Sequence, residues 1–399
     1  LFFIASIFVS CTHIEKYFEF KKPDFIPKID KVSNSKIEEI WSINTGDGRS
    51  IKSTVLQPSF DDNNNIYTID SSGEINSINY VSGKKNWAVN INLDVTSGIT
   101  FHDNSLFFGS SDGKLYSYLI KKLSNSSMIS DVVDMSLFYD SPSITPDLSL
   151  QLESEISHPV IVLNDRLFFK TTSGNTFSYS MDDKNIVWTN IGKNVILNIR
   201  GSGSVVLDFN NLYVARDDGS LISLNQKTGK LNWLTTISTK AGRNDLEALR
   251  DIEMTPYIDG GVIYVGSFQG NLIAIDSTTG RVLWNKSLSS LTNIDVDESQ
   301  IFVSSTDGNL YSIDKFSGDI AWKKKLSGSV KLLQPRIYEN LIILFNELGF
   351  IYLIDKETGE LLFHKQKTGS IDYQINLLKR DKTFFILTKN GRLTAFRIK

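Results

Sequence analysis

From residue 270 to residue 284 the chain reads GNLIAIDSTTGRVLW, and within it Leu272, Ala274 and Asp276 alternate with Ile273 and Ile275. A period of two is the mark of a strand, because successive side chains point to opposite faces. Ser277-Thr278-Thr279-Gly280 then supplies turn chemistry, with Gly280 free to take a positive φ, and Arg281-Val282-Leu283-Trp284 opens a second strand. The stretch predicts a hairpin. One hairpin alone is marginal in water, so the pattern must recur if the chain is to fold on it.

A turn glycine stands fourteen residues before an aromatic at Gly73/Trp87, Gly174/Trp188, Gly219/Trp233, Gly270/Trp284, Gly308/Trp322 and Gly349/Phe363. Gly113 opens a degenerate copy with Ser127 at the aromatic position, and Gly391 opens GRLTAFRIK, where the chain stops at Lys399. The aromatic missing from the last copy has a candidate in Glu39-Ile40-Trp41-Ser42-Ile43, a strand-like run with no turn glycine before it, which uses the last of the six tryptophans. Successive turn glycines are 40, 61, 45, 51, 38, 41 and 42 residues apart, a spacing that suits one four-stranded blade per repeat. The expected fold is therefore all-β: an eight-bladed β-propeller over residues 38–399, closed by pairing the N- and C-terminal strands. In this reading the tryptophans pack between neighbouring blades and the glycines serve turns, so both belong to the scaffold.

A closed ring overrides the two or three domains that 399 residues would otherwise suggest. A net charge of −3 argues against nucleic acid as the main partner, since phosphate binding needs a basic face. The single cysteine, Cys11, excludes an intrachain disulfide and a thiolate metal site. Before it, residues 1–10, LFFIASIFVS, form an uncharged apolar run too short to cross a bilayer as a helix and similar to the apolar region of a signal peptide. No basic leader precedes this run, and a few further residues are expected upstream of Leu1. Phe8-Val9-Ser10-Cys11 resembles a bacterial lipobox, which makes Cys11 the lipidation residue. Thr12 stands where an aspartate would resemble an inner-membrane retention signal, so the resemblance implies the periplasmic face of the outer membrane, with a lipid anchor in place of a spanning segment. Residues 11–37 read as the tether, with two prolines and mixed charge but no sustained period.

Two repeat intervals are long. About twenty extra residues fall between Gly113 and Gly174, in the region 119–158, and about ten between Gly219 and Gly270, where Leu246, Leu249 and Arg250 suggest a short helical turn. Neither carries recognisable catalytic chemistry. His13, His102, His158 and His364 are scattered, with no metal-ligand spacing, and no nucleophile elbow or phosphate-binding loop occurs. The acid pairs Asp61-Asp62, Asp182-Asp183 and Asp217-Asp218 sit in turn contexts and are expected to be solvated loop tips. No catalytic residue, metal site or cofactor is assigned.

The repeats SLNQKTGKLNW, AIDSTTGRVLW and SIDKFSGDIAW resemble the blades of quinoprotein alcohol dehydrogenases. Those enzymes carry a quinone cofactor, commonly beside an adjacent-cysteine disulfide and a calcium ion; this chain has no cysteine pair and lacks their large insertions, so their site does not carry over. From the lipobox to GRLTAFRIK the chain more closely resembles the BamB family of outer-membrane protein assembly lipoproteins. Leu197-Asn198-Ile199-Arg200-Gly201 is similar to that family's L-x-L-R-G loop, and residues 249–256, LRDIEMTP, to its L-x-D-x-D-x-T-P stretch. Ile199 and Glu253 replace leucine and aspartate there. The resemblance implies a non-enzymatic scaffold that docks on the POTRA domains of BamA and helps present unfolded outer-membrane proteins. Leu197 and Ile199 would then be apolar anchors, Arg200 a bidentate donor, and Asp251 and Glu253 partners for Arg200 or for basic residues of BamA. On their own residues, Val195, Leu197 and Ile199 also fit a blade strand packing inward, and Asp251 and Glu253 a solvated face. Two rival functions stay open at this point: a quinone-dependent dehydrogenase, and a periplasmic propeller that binds glycans or another envelope protein.

Overall fold

The computed structural model describes residues 25–30, 37–48, 56–121, 143–192, 204–237, 252, 254–267, 270–290, 292–366, 378–380 and 383–399. The regular elements among them are all strands, gathered into eight four-stranded antiparallel sheets, each a meander. Numbered along the chain, the blades span 59–90, 100–151, 161–190, 205–236, 257–287, 295–325, 336–366 and 378–398, and the eighth takes its fourth strand from Ile37–Asn44. That N-terminal strand pairs with Arg392–Ile398 in a register that sets Trp41 opposite Ala395, so the ring closes as the repeat predicted.

Burial follows position within the blade. First strands of neighbouring blades touch and mark the centre. The second and third strands are covered on both faces, as in Asn271–Asp276, where Leu272 to Ile275 are all buried. The fourth strand alternates exposed and half-buried residues, as Val282–Ser287 does, because only one of its faces meets another blade. The meander fixes two ends of the ring. Turns between first and second and between third and fourth strands lie at one, the hairpin end; turns between second and third strands and the connectors from blade to blade lie at the other, the connector end.

Each tryptophan sits in a socket built by two blades. The residue facing it across the third strand is small: Ala395 for Trp41, Ser77 for Trp87, Ser178 for Trp188, Ser223 for Trp233, Ala274 for Trp284 and Ser312 for Trp322. One strand further in, an aromatic ring of the same blade lies 5.8 to 6.2 Å away between centroids, for example Tyr213 beside Trp233 and Phe385 beside Trp41. The indole N–H groups of Trp41, Trp188, Trp233, Trp284 and Trp322 donate to the carbonyls of Tyr80, Gln226, Ser277, Lys315 and Lys356 in the next blade, at 2.9 to 3.1 Å. The turn glycine that follows each of those carbonyls lies against the ring; a Cβ on Gly280 would stand 2.6 Å from Trp233 Cδ2. Gly280 has φ +74°, as expected, but its larger reason for being glycine is this contact with the preceding blade.

The irregular repeats are resolved by substitution at the same register. In blade 2 the fourth strand is Ser143–Gln151, and Leu148 faces Ser117 where the other blades place their aromatic; the expected insertion falls before that strand, with 122–142 outside the described residues. In blade 7 Phe363 faces Leu353 and packs in the core between blades 7 and 8.

Candidate functional site

The segments that carry the sequence motifs fall between blades: 191–204 joins blades 3 and 4, and 237–256 joins blades 4 and 5. Their described stems therefore lie at the connector end, on adjacent blades. Of the residues singled out from sequence, Leu197, Ile199, Arg200, Asp251 and Glu253 all lie outside the described residues, as does Cys11.

The stems of both connectors are described, and they meet. The Ser204 N–H donates to Thr255 Oγ1 at 3.4 Å, and the Thr255 N–H donates to Asn293 Oδ1 in the following connector at 2.8 Å. Ile252 and Met254 are fully buried two residues apart. Ile252 packs with Tyr213, Ile237 and Ile263 between blades 4 and 5, and Met254 with Tyr264, Leu288 and Ile294 between blades 5 and 6. Two apolar side chains on opposite flanks of one blade pin the stem, and burying each contributes on the order of 2 kcal/mol. At the other stem Ile191 is 77% exposed, an apolar side chain presented to solvent beside the first motif.

Beside the Ser204 stem lies a polar cluster to which the sequence alone gave no role. Lys170, at the end of the second strand of blade 3, donates to Asp217 Oδ1 at 3.0 Å and to the Ala215 carbonyl at 2.9 Å, tying blade 3 to blade 4. Both side chains are 7% exposed, so the ion pair is held in a low-dielectric setting where each charge needs the other. His158 and Ser157 join Lys170 and Ser204 around a cavity of about 10 Å³, room for one water molecule. The Ser157 hydroxyl and His158 Nδ1 are 3.0 Å apart. Burial, with the Lys170 charge adding to it and Asp217 opposing, pushes the His158 imidazole down to about 4, so it is neutral at pH 7.

This overturns one expectation. Asp217 is a buried ion-pair partner and not a solvated tip, and Asp61 is 5% exposed, accepting from the N–H groups of Asn63 and Asn65, the Asn65 side chain and the Tyr67 hydroxyl. Asp62, Asp182 and Asp183 do sit exposed in turns. Among the described residues no group of three or more His, Cys, Asp or Glu is placed to hold a metal ion.

An eight-bladed ring with interblade tryptophan sockets defines the class: a propeller of the quinoprotein-like repeat type. Within it, a family model described as outer membrane protein assembly factor BamB matches residues 145–324 and 294–399, and the chain belongs to that family. The assembly factor BamB of Yersinia pestis is 22% identical over 283 residues, covering 68% of this chain and 66% of that protein; the Shewanella oneidensis BamB is 24% identical over 270 residues, covering 64% and 63%. The matched region thus spans just under two thirds of these relatives' own length. The crystal structure of BamB from Moraxella catarrhalis superposes with a TM-score of 0.76 at 20% identity, over 91% of this chain and all of that one. The quinohemoprotein alcohol dehydrogenase from Comamonas testosteroni gives 0.65 at 11% identity, over 90% of this chain and 76% of that one, a likeness of fold.

Proposed function

We propose that the chain is a non-enzymatic scaffold of the outer-membrane β-barrel assembly machinery, held by a lipid on Cys11 at the periplasmic face of the outer membrane. It binds the POTRA domains of BamA through the connector end of blades 3 to 5 and aids insertion of outer-membrane proteins. The observation that carries this reading is family membership over 145–399, the region that contains both motif-bearing connectors. Their adjacent stems, linked from Ser204 to Thr255, support a single contact surface in which Leu197 and Ile199 are apolar anchors and Arg200 donates to a carboxylate or carbonyl of the partner. Asp251 and Glu253 orient that arginine or meet basic groups. A rigid ring with pinned stems suits a scaffold, since less side-chain and loop entropy is lost on docking.

Calorimetric titration of the chain from Thr12 onward with BamA POTRA domains, at low salt, tests the reading. Binding is expected, with Arg200→Ala weakening it by roughly 10- to 100-fold while thermal unfolding is unchanged. Absence of binding by the wild-type chain would overturn the assignment.

A further inference from the structure

Residues 25–30 belong to the segment read as a tether, yet they lie on the ring, against blade 7 and not the blade 8 whose outer strand they lead into. The Asp30 N–H donates to the Leu361 carbonyl at 2.9 Å, and the Leu361 N–H donates to Asp30 Oδ2 at 2.8 Å. Leu361 begins the fourth strand of blade 7, the outer edge of its sheet, so Asp30 satisfies both backbone groups that this residue would otherwise present to solvent. The same carboxylate is ion-paired with Lys324 on the fourth strand of blade 6. Lys324 first, and the Leu361 N–H second, hold the Asp30 carboxyl below the usual carboxylate range.

The equivalent edges differ in exposure. In blade 5 the two residues before the tryptophan, Val282 and Leu283, are 41% and 43% exposed; in blade 7 the two before Phe363, Leu361 and Leu362, are 0% and 9% exposed. Within the tether segment Pro27 is buried, although Phe25, Ile26 and Ile29 around it stay exposed. The blade-7 edge thus differs from its counterpart where the segment meets it.

We propose that the rim between blades 6 and 7 is a docking site for an extended segment bearing a carboxylate, and that its resident occupant is this chain's own residues 25–30, latched by Asp30. The stretch between Cys11 and the first contact with the ring then ends near Phe25 and not at Ile37. Given lipidation of Cys11, on which this consequence rests, the longest reach from lipid to ring falls from about 90 Å to about 50 Å at ~3.4 Å per extended residue. The ring is also held from the blade 6–7 side, which limits how the connector end of blades 3 to 5 can turn relative to the membrane.

Hydrogen exchange on the full chain carrying Cys11→Ser tests the latch in solution. The Asp30 and Leu361 amides are expected to be protected, and Asp30→Ala to speed both at least tenfold while amides of the second strand of blade 7, such as Ile343, stay unchanged. Lys324→Ala is expected to give a smaller increase at the same two amides. Unprotected exchange at Asp30 and Leu361 in the parent chain, or rates that Asp30→Ala leaves unmoved, would overturn the proposal. Membrane partition of the chain with Cys11 intact is read separately: a chain that stays soluble while those two amides stay protected removes the anchor and leaves the latch standing.

Discussion

Two glycines in blade 5 separate the strain of a turn from the docking of a tryptophan. Gly260 and Gly280 both close turns at the hairpin end with positive φ, +56° and +74°. A Cβ on Gly260 would meet nothing within 4 Å, whereas one on Gly280 would stand 2.6 Å from Trp233 Cδ2 and 2.8 Å from Cε3. Gly260→Ala therefore carries only the left-handed backbone cost of about 1–2 kcal/mol. Gly280→Ala carries the same cost plus displacement of the indole. Overpacking there is worth about 1–3 kcal/mol, and weakening of the Trp233 N–H bond to the Ser277 carbonyl, 3.0 Å in the native ring, about 1 kcal/mol more. The expected losses are about 1–2 kcal/mol for Gly260→Ala and about 3–6 kcal/mol for Gly280→Ala. Urea unfolding followed by tryptophan fluorescence measures both, provided the transitions keep a common slope. Losses equal to within about 0.5 kcal/mol would refute the idea that interblade indole docking, and not turn geometry, fixes these glycines.

Three further outcomes are expected. His158 has a folded value of about 4 against an ordinary 6.5, so the unfolded chain takes up its proton first as pH falls; stability is full above pH 6.5 and declines towards pH 4. A sealed ring would lose about 3 kcal/mol over that window, and the half-buried His158 is expected to lose about 1–2 kcal/mol, a slope that should flatten in His158→Gln when unfolding free energy is measured against pH. Lys170→Met removes the cation 3.0 Å from the Asp217 carboxylate and should cost up to about 3–5 kcal/mol in denaturant, much of it recovered in Lys170→Met/Asp217→Leu; equal losses in both variants would count against a buried ion pair. Ala274→Leu puts a large side chain opposite Trp284 and should cost about 1–3 kcal/mol, with a changed near-ultraviolet dichroism of the indole, while an unchanged spectrum would argue against the socket.

The ring was legible in the sequence because its signal is periodic: a turn glycine and an aromatic fourteen residues later reveal the outer hairpin of each blade without any knowledge of what it packs on. The first strands were not legible, being as short as Ser59–Phe60 and Asp295–Val296, too brief for an alternation to register. Nor was the burial of Asp61 and Asp217. A turn aspartate looks the same in sequence whether it ends in water or beneath a neighbouring blade, and the partner that decides it for Asp217, Lys170, is 47 residues away. Gly280 shows the same limit from the other side, since its turn was readable while the indole resting on it, from Trp233, was not. The proposed docking residues rest only on the likeness of two short motifs to a family's loops; on their own, Val195, Leu197 and Ile199 also fit a blade strand.

The seam in blade 8 joins Ile37 to Ile398, residues 361 positions apart, and this bears on the order of events when the chain folds. Seven blades draw their four strands from one continuous stretch and can form as local meanders while the chain is still emerging. The eighth cannot, because the first strand made must wait for the last. Until Arg392–Ile398 arrives, Ile37–Asn44 is an unpaired edge and the two ends of the arc are open, the kind of exposed strand that invites wrong pairings. Closing so long a loop is slow but adds little in free energy, since the entropic cost grows only with the logarithm of its length. The final seven-residue strand therefore acts as a completion check: a chain cut short before it keeps most of its blades and never becomes a ring.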